Sequence, residues 1–260
     1  MELTELVTQV ESILREAGTL IRSIPHPAVY SKEGHANFVT EADMASQKFL
    51  MEHLAPLLPD AHFFAEEQEK NTLVPGWNWI IDPIDGTTNF IRRYRPSAIS
   101  VGLIRDGEGK LGLVYDPWSG ELFSAVQGHG AFCNGEPIHA AQVPLENAIF
   151  IFGTAPYNRE KVDASFAMAK ELSLRCGDLR RCGSAALDLC YIAAGRCDGF
   201  FEAILSPWDY AAASVILEEA GAKIGTVPGK VFSYGEKQPI LAGTPDMFAL
   251  LQEVSSHHLV

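Results

Sequence analysis

An apolar run, Trp79-Ile80-Ile81, ends in two carboxylates three residues apart, Asp82 and Asp85. Pro83 lies between them, and Gly86-Thr87-Thr88-Asn89-Phe90 follows at once. An unbroken apolar run of β-branched and aromatic residues describes a buried strand. Proline cannot donate to a strand ladder, so pairing is expected to stop at Pro83. Asp82 and Asp85 then fall at the carboxyl end of the strand, where sheets covered by helices place their ligands. Two acids fixed close together repel each other unless a cation sits between them. Gly86 allows close approach of backbone to an anion, and a helix starting at Thr87 would aim its first N–H groups at one. The segment reads as a divalent-metal site beside a phosphate cradle.

At 260 residues, 47% of them hydrophobic, the chain has material for one large domain or two packed subdomains without a disulfide or zinc staple. The 20 basic and 33 acidic residues leave a net charge of −13. That balance argues against a nucleic-acid polymer as partner, which needs a basic face. A small phosphorylated substrate stays compatible if metal ions offset the repulsion. The cysteines, Cys133, Cys176, Cys182, Cys190 and Cys197, are odd in number and contain no Cys-x-x-Cys pair. They suggest reduced thiols in a cytoplasmic protein. Glu2, Glu5, Glu11 and Glu16 among periodic apolar positions are not what a signal peptide is expected to carry, and no apolar run is long enough to span a membrane.

Leu3, Leu6, Val7, Val10, Ile13, Leu14, Ala17 and Ile21 recur at helical spacing, and Pro25 and Pro27 follow them. A polar loop, 31–37, leads to a second helix from Thr40 towards Leu54, with Thr40 as its N-cap. His62 to Ala65 reads as a strand delivering Glu66-Glu67. From Ala98 to Val126, strands alternate with turns at Asp106-Gly107 and Trp118-Ser119-Gly120, which suggests an antiparallel meander. Beyond a strand at 148–153, helices are expected at 161–174, at 184–194, from Ser206 to near Gly221 and from about Pro245. Strands are expected at 197–202 and 240–242. Helix plus antiparallel sheet in the first half, and alternating helix and strand in the second, point to a mixed layered architecture. Its two subdomains, 1–150 and 151–260, meet near residue 150.

Four acidic clusters could serve a magnesium ion, which takes oxygen ligands: Asp43, Glu66-Glu67, the Asp82/Asp85 pair and Asp209. Each has a plainer reading. Asp43 stands three residues after Thr40, and Asp209 three after Ser206 with Pro207 between, so both suit a helix start. Glu66-Glu67 suits a solvated strand end, and Asp85-Gly86 a turn. The run Asp82 to Thr88 is harder to dismiss, because a plain turn needs neither a buried strand before it nor two successive threonines.

The stretch Trp79 to Phe90 resembles the first signature of the inositol monophosphatase family. Trp208-Asp209-Tyr210-Ala211-Ala212, continuing to Glu219-Ala220-Gly221, resembles its second. Val39 to Asp43, Glu66-Glu67 and Gly183 to Asp188 match in order and spacing between them, so the resemblance covers nearly the whole chain. It implies a layered α-β-α-β-α sandwich of the inositol monophosphatase and fructose-1,6-bisphosphatase type, and magnesium-dependent hydrolysis of a phosphate monoester. It further implies that Glu66, Asp82, the Ile84 carbonyl and Thr87 surround one Mg2+ ion, and that Asp82, Asp85 and Asp209 hold a second. A weaker third ion near Glu66 belongs to the same picture. Asp43 would hydrogen-bond Thr87 and help activate water, and the Gly86 and Thr87 N–H groups would hold the phosphate. Glu202 and the backbone near Ala185 would meet the alcohol half of the substrate. Inositol monophosphate is the leading substrate, with 3′-phosphorylated adenosine nucleotides and fructose 1,6-bisphosphate as alternatives. A binding regulator without turnover is a reading from another class. Lithium sensitivity and a homodimer are also implied by the resemblance.

The chain departs from the family pattern in places. Ala65 stands where glycine is usual, Asn37 where aspartate is frequent and Gln47 where glutamate is frequent. Arg92-Arg93-Tyr94-Arg95-Pro96 carries three arginines just beyond the first signature. They read as a solvated loop balancing nearby carboxylates, or as a clamp for a second phosphate. Cys190 and Cys197 read as core. His257 and His258 are expected in a frayed tail.

Overall fold

A computed structural model describes residues 2–24, 26–32 and 37–259. Pro25 and most of the expected polar loop lie outside these residues. The elements of the first half are α1 (Leu3–Arg22), β1 (Val29–Ser31), β2 (Phe38–Thr40), α2 (Glu41–Leu54), β3 (His62–Ala65), β4 (Trp77–Asp85), α3 (Thr87–Arg92), β5 (Ala98–Arg105), β6 (Glu108–Asp116), β7 (Glu121–Val126), β8 (Ala131–Cys133) and β9 (Glu136–Ile138). The second half holds β10 (Ile149–Phe152), α4 (Val162–Ser173), β11 (Asp178–Arg180), α5 (Ala185–Ala193), β12 (Gly199–Leu205), α6 (Pro207–Glu219), β13 (Lys223–Gly225), β14 (Gln238–Gly243) and α7 (Pro245–His258).

Strands β3 to β9 form a seven-stranded sheet in sequence order, and a five-stranded sheet runs β11-β10-β12-β14-β13. The meander is antiparallel as expected, but the first sheet is not wholly so, because β3 lies parallel to β4. The 62–65 and 77–85 segments are joined by a long crossing loop rather than a hairpin, and that permits parallel pairing. Pro83 interrupts β4 without ending it. The ladder with β5 shifts register between Asp82 and Asp85 and resumes with Asp85 opposite Ala98. The proline sits in a bulge, where its missing N–H costs no ladder bond. The β1–β2 ribbon and the short strands β8, β9 and β13 carry too few residues for a readable period.

Alternation along the strands builds three cores. Trp79 and Ile81 of β4, Ile99, Val101 and Leu103 of β5, and Leu111 and Leu113 of β6 face α1 and α2. Ile80, Val114 and Phe123 point the other way, into a core shared with α5, α6 and the inner face of the second sheet. On that second sheet, Phe200, Ile240 and Ala242 face inward, while Phe150, Phe201 and Leu241 pack outward against α4 and α7. The result is five layers, α-β-α-β-α, as expected from the resemblance. Side-chain period two, applied to strands buried on both faces, is what lets one sheet serve two cores. No helix among the described residues is long and apolar enough to cross a membrane.

Helix α6 is the central element, and glycine admits it. Gly102 on β5 and Gly112 on β6 lie under Ala211 and Ala212. A Cβ placed on Gly112 would fall 2.0 Å from the Ala212 carbonyl oxygen, and one on Gly102 would fall 3.0 Å from the Ala212 nitrogen. The small-residue run Ala211-Ala212-Ala213 and these glycines bring helix backbone onto sheet backbone. This seating fixes where the first turn of α6, and therefore Asp209, arrives. Gly112→Ala must push α6 off the sheet. A loss of about 3 kcal/mol is expected from overpacking of this kind, read as a lowered denaturant midpoint with an unchanged slope.

Candidate active site

Strand β4 and helix α6 converge at one end of the first sheet. Single carboxylate oxygens of Asp82, Asp85 and Asp209 all lie within 4.8 Å of one another there. Asp82 and Asp85 are buried, and Asp209 is partly exposed. The plain reading of Asp209 and the functional one are both satisfied. Its Oδ2 accepts the Ser206 N–H at 2.7 Å, closing the start of α6, with Pro207 at the first helical position. Asp85 Oδ2 accepts the Ala186 N–H at 2.8 Å and the Ser184 hydroxyl, so the start of α5 orients it. Asp82 Oδ1 accepts the Ile84 N–H at 3.0 Å across the bulge.

Asp43 is likewise doubly used. It completes the capping box of α2, taking the Thr40 N–H on Oδ2 at 2.7 Å. Its Oδ1 lies 3.3 Å from Thr87 Oγ1, which is also 3.1 Å from the Ile84 carbonyl oxygen. Ser46 of α2 donates to the Pro83 carbonyl at 3.0 Å and ties the helix to the bulge. Gly86 has φ 83°, and a Cβ there would meet the Gly183 carbonyl at 3.0 Å and the Pro96 carbonyl at 3.2 Å. Glycine is required at this turn by conformation and by space together.

A cavity of about 410 Å3 opens over these groups. Glu66, Asp82, Ile84, Asp85, Gly86, Thr87, Ala185, Glu202 and Asp209 all line it. Of the expected site residues, Asp43 alone stands behind the wall, touching the cavity through Thr87. Glu66 lies outside the tight trio, and its Oε1 is 3.0 Å from Lys32 Nζ, which also pairs with Glu67. The sequence reading missed Lys32, Tyr157, Arg181, Asp188 and Lys237, which line the same cavity. Asp188 lay within a matched motif yet received no role. It is buried, and its Oδ1 has no hydrogen-bond partner among the described residues. The arginine-rich loop is placed elsewhere. Arg93 and Arg95 line a separate cavity of about 280 Å3 with Arg22 and Trp118. Among the described residues, the cations lining the cavity of the acidic trio are Lys32, Arg181 and Lys237.

The electrostatics are those of crowded, poorly solvated acids. Burial pushes Asp82 well above the usual carboxylate range, and Glu66, Asp85 and Asp209 add to the rise. Desolvation and the charges of Asp85 and Glu66 do the same to Asp209. Burial raises Asp85 to about 6 against the hydrogen bonds from Ser184 and Ala186. It raises Asp43 to about 6 against those from Thr40. An all-oxygen donor set that is expensive to ionise together fits a hard divalent cation, whose charge would remove the penalty.

Glu202, on the wall of the same cavity, takes the Ala155 N–H on Oε1 at 2.9 Å. Burial pushes its carboxyl from 4.5 up to about 7. The native state therefore holds this proton more tightly than the unfolded chain. The residue costs stability increasingly from pH 4.5 to about 7, and costs most above that range. Glu202→Gln is expected to be more stable than the parent by about 2 kcal/mol at pH 8. The gap should close near pH 4, as measured by urea unfolding in chelator.

The model of the inositol monophosphatase family matches residues 2–259. The inositol-1-monophosphatase of Bacillus subtilis (strain 168) is 35% identical over 260 residues, covering 98% of this chain and 97% of the relative. The Nus factor SuhB of Escherichia coli (strain K12) is 36% identical over 236 residues, covering 89% and 88%. Among solved structures, the inositol monophosphatase of Anabaena (Nostoc) sp. PCC 7120 superposes with a TM-score of 0.87 at 31% identity, covering 99% of this chain and 98% of that one. An IMPase/NADP phosphatase complexed with Mg2+ and phosphate superposes with a TM-score of 0.87 at 25% identity, covering 97% and 95%. With two signatures in register, five layers and acids gathered at the end of β4, the chain belongs to the inositol monophosphatase family, phosphatases that act on phosphate monoesters.

Proposed function

We propose that the protein hydrolyses inositol monophosphate to inositol and phosphate in a magnesium-dependent reaction. The convergence of Asp82, Asp85 and Asp209 on one cavity carries this reading. In it, Glu66, Asp82, the Ile84 carbonyl, Asp85 and Asp209 hold Mg2+. Bound magnesium would supply Lewis-acid polarisation of the phosphoryl group and a more acidic water. The chain's own residues do the rest. The N–H groups of Gly86 and Thr87 bind phosphoryl oxygens, in a turn that has room for no side chain at Gly86. Thr87 Oγ1 orients the attacking water and passes its proton towards Asp43 Oδ1. Asp43, raised to about 6, is ionised at neutral pH and able to accept it. The Ala185 backbone and Glu202 orient the alcohol half of the substrate. No covalent nucleophile is needed, and Cys190 and Cys197 lie in the core. We further read the chain as one phosphatase domain, with 1–150 carrying most of the magnesium ligands and 151–260 carrying Glu202 and Asp209.

A second substrate class has its own support. Lys32, Arg181 and Lys237 give an otherwise acidic cavity three cations, which suits a substrate with a second anionic group, such as a 3′,5′-bisphosphate or a sugar bisphosphate. Phosphate release across inositol 1-phosphate, adenosine 3′,5′-bisphosphate and fructose 1,6-bisphosphate separates the two.

Asp82→Asn is expected to lower kcat at least about 1,000-fold, because it weakens the charge that offsets the cation. Full activity of that variant, or full activity in chelator, would remove the assignment. Gly153→Ala tests the alcohol end, since a Cβ there would lie 1.9 Å from Glu202 Cδ. It should raise KM for inositol 1-phosphate about 10-fold and leave phenyl phosphate nearly unaffected.

A further inference from the structure

A second group of metal-ligating side chains converges on the outer face of the molecule, away from the active site. Glu171 of α4 and His257 and His258 of α7 each offer one ligand atom, and the three atoms lie within 4.8 Å of one another. The histidines expected in a frayed tail are helical. They close the last turn of a 14-residue helix that packs against α4.

Both rings turn to the same oxygen. His258 Nε2 lies 2.8 Å and His257 Nδ1 3.4 Å from Glu171 Oε2. A hydrogen bond or ion pair explains the shorter contact. The longer one is loose for N–H···O and within ion-pair reach. It does match the ligand-to-ligand edge of a tetrahedral zinc site. Bonds of about 2.0–2.1 Å to nitrogen and oxygen make that edge about 3.3 Å. The other carboxylate oxygen, Oε1, lies 3.7 Å from Arg175 Nη1, which also reaches Glu253 Oε1 at 3.2 Å. Arg175 therefore steadies the carboxylate from behind and leaves Oε2 turned to the imidazoles.

Two imidazoles and one carboxylate suit zinc, while magnesium prefers oxygen alone. The two groups of potential ligands that converge among the described residues thus differ in the kind of cation they suit. We propose that Glu171, His257 and His258 form a zinc site, with water in the fourth position, that clamps the end of α7 to α4. Zinc bound there would lengthen the His258–Glu171 contact to about 3.3 Å and keep the His257–Glu171 contact near its present length.

Zinc titration of the full chain in saturating magnesium tests this, followed by calorimetry and by thermal melting, with Co2+ absorption as a second probe. The parent protein should bind one zinc more than Glu171→Gln, His257→Ala and His258→Ala, and Asp82→Asn one zinc more than the same three changes made on its own background. Each of these three variants should weaken that binding at least about 10-fold. Zinc should raise the melting temperature of the parent and of Asp82→Asn, and not that of the three ligand variants. Zinc uptake and a melting shift that persist in His257→Ala and His258→Ala would overturn the site. So would a parent protein that binds no zinc beyond its catalytic centre. Magnesium-dependent turnover of the three surface variants verifies that they are folded.

Discussion

Three carboxylates gathered in a poorly hydrated pocket repel one another, and the rest of the fold must keep them there. Asp82 and Asp85 are fixed by the β4 bulge. Asp209 arrives on α6, a different element carried by a different half of the chain. Each acid is restrained by backbone N–H groups: Ile84 for Asp82, Ala186 for Asp85 and Ser206 for Asp209. These bonds offset part of the desolvation cost and prevent the side chains from swinging apart. The apolar cores on both faces of the seven-stranded sheet supply the remaining restraint. Large buried areas on each side of β4 let its end carry charge that a thinner structure would not tolerate.

Much of this was legible in the residues. The buried strand before Asp82, the Thr40 and Pro207 helix starts, and the meander from Ala98 follow from local rules that the tertiary structure does not override. The matched signatures supplied the layered fold, which periodicity alone does not distinguish from other mixed architectures. The elements that escaped reading are short. Strands β8, β9 and β13 have three residues each, too few to display alternation. The parallel pairing of β3 with β4 depends on which edge a loop crosses, and composition carries no record of that choice.

Within the site, the acids could be nominated from sequence and the cations could not. An Asp-Pro-x-Asp-Gly run has few alternative uses. Lys32, Arg181 and Lys237 lie far apart in the chain and share no spacing rule with the trio. The arginine cluster at 92–95 drew attention by its density, yet Arg93 and Arg95 turn to a neighbouring cavity. Local density of charge indicates solvated loops as often as binding surfaces, and only the chain's path decides between them. Asp43 shows the opposite ambiguity: a helix cap and a partner to Thr87 are compatible uses of its two oxygens.

The contact of α6 with Gly102 and Gly112 has a consequence for how sequences of this kind can drift. Backbone lies on backbone there, so the spacing between helix and sheet contains almost no side chain to adjust. In a core built of side chains, a larger residue on one element can be accommodated by a smaller one opposite. At this seam no such exchange exists, and the height of Asp209 above the end of β4 is set by the dimensions of the peptide group. Substitutions accumulating in the surrounding layers are thereby insulated from the one distance on which the acidic trio depends. The seam acts as a fixed datum, and the outer surfaces can diversify around it.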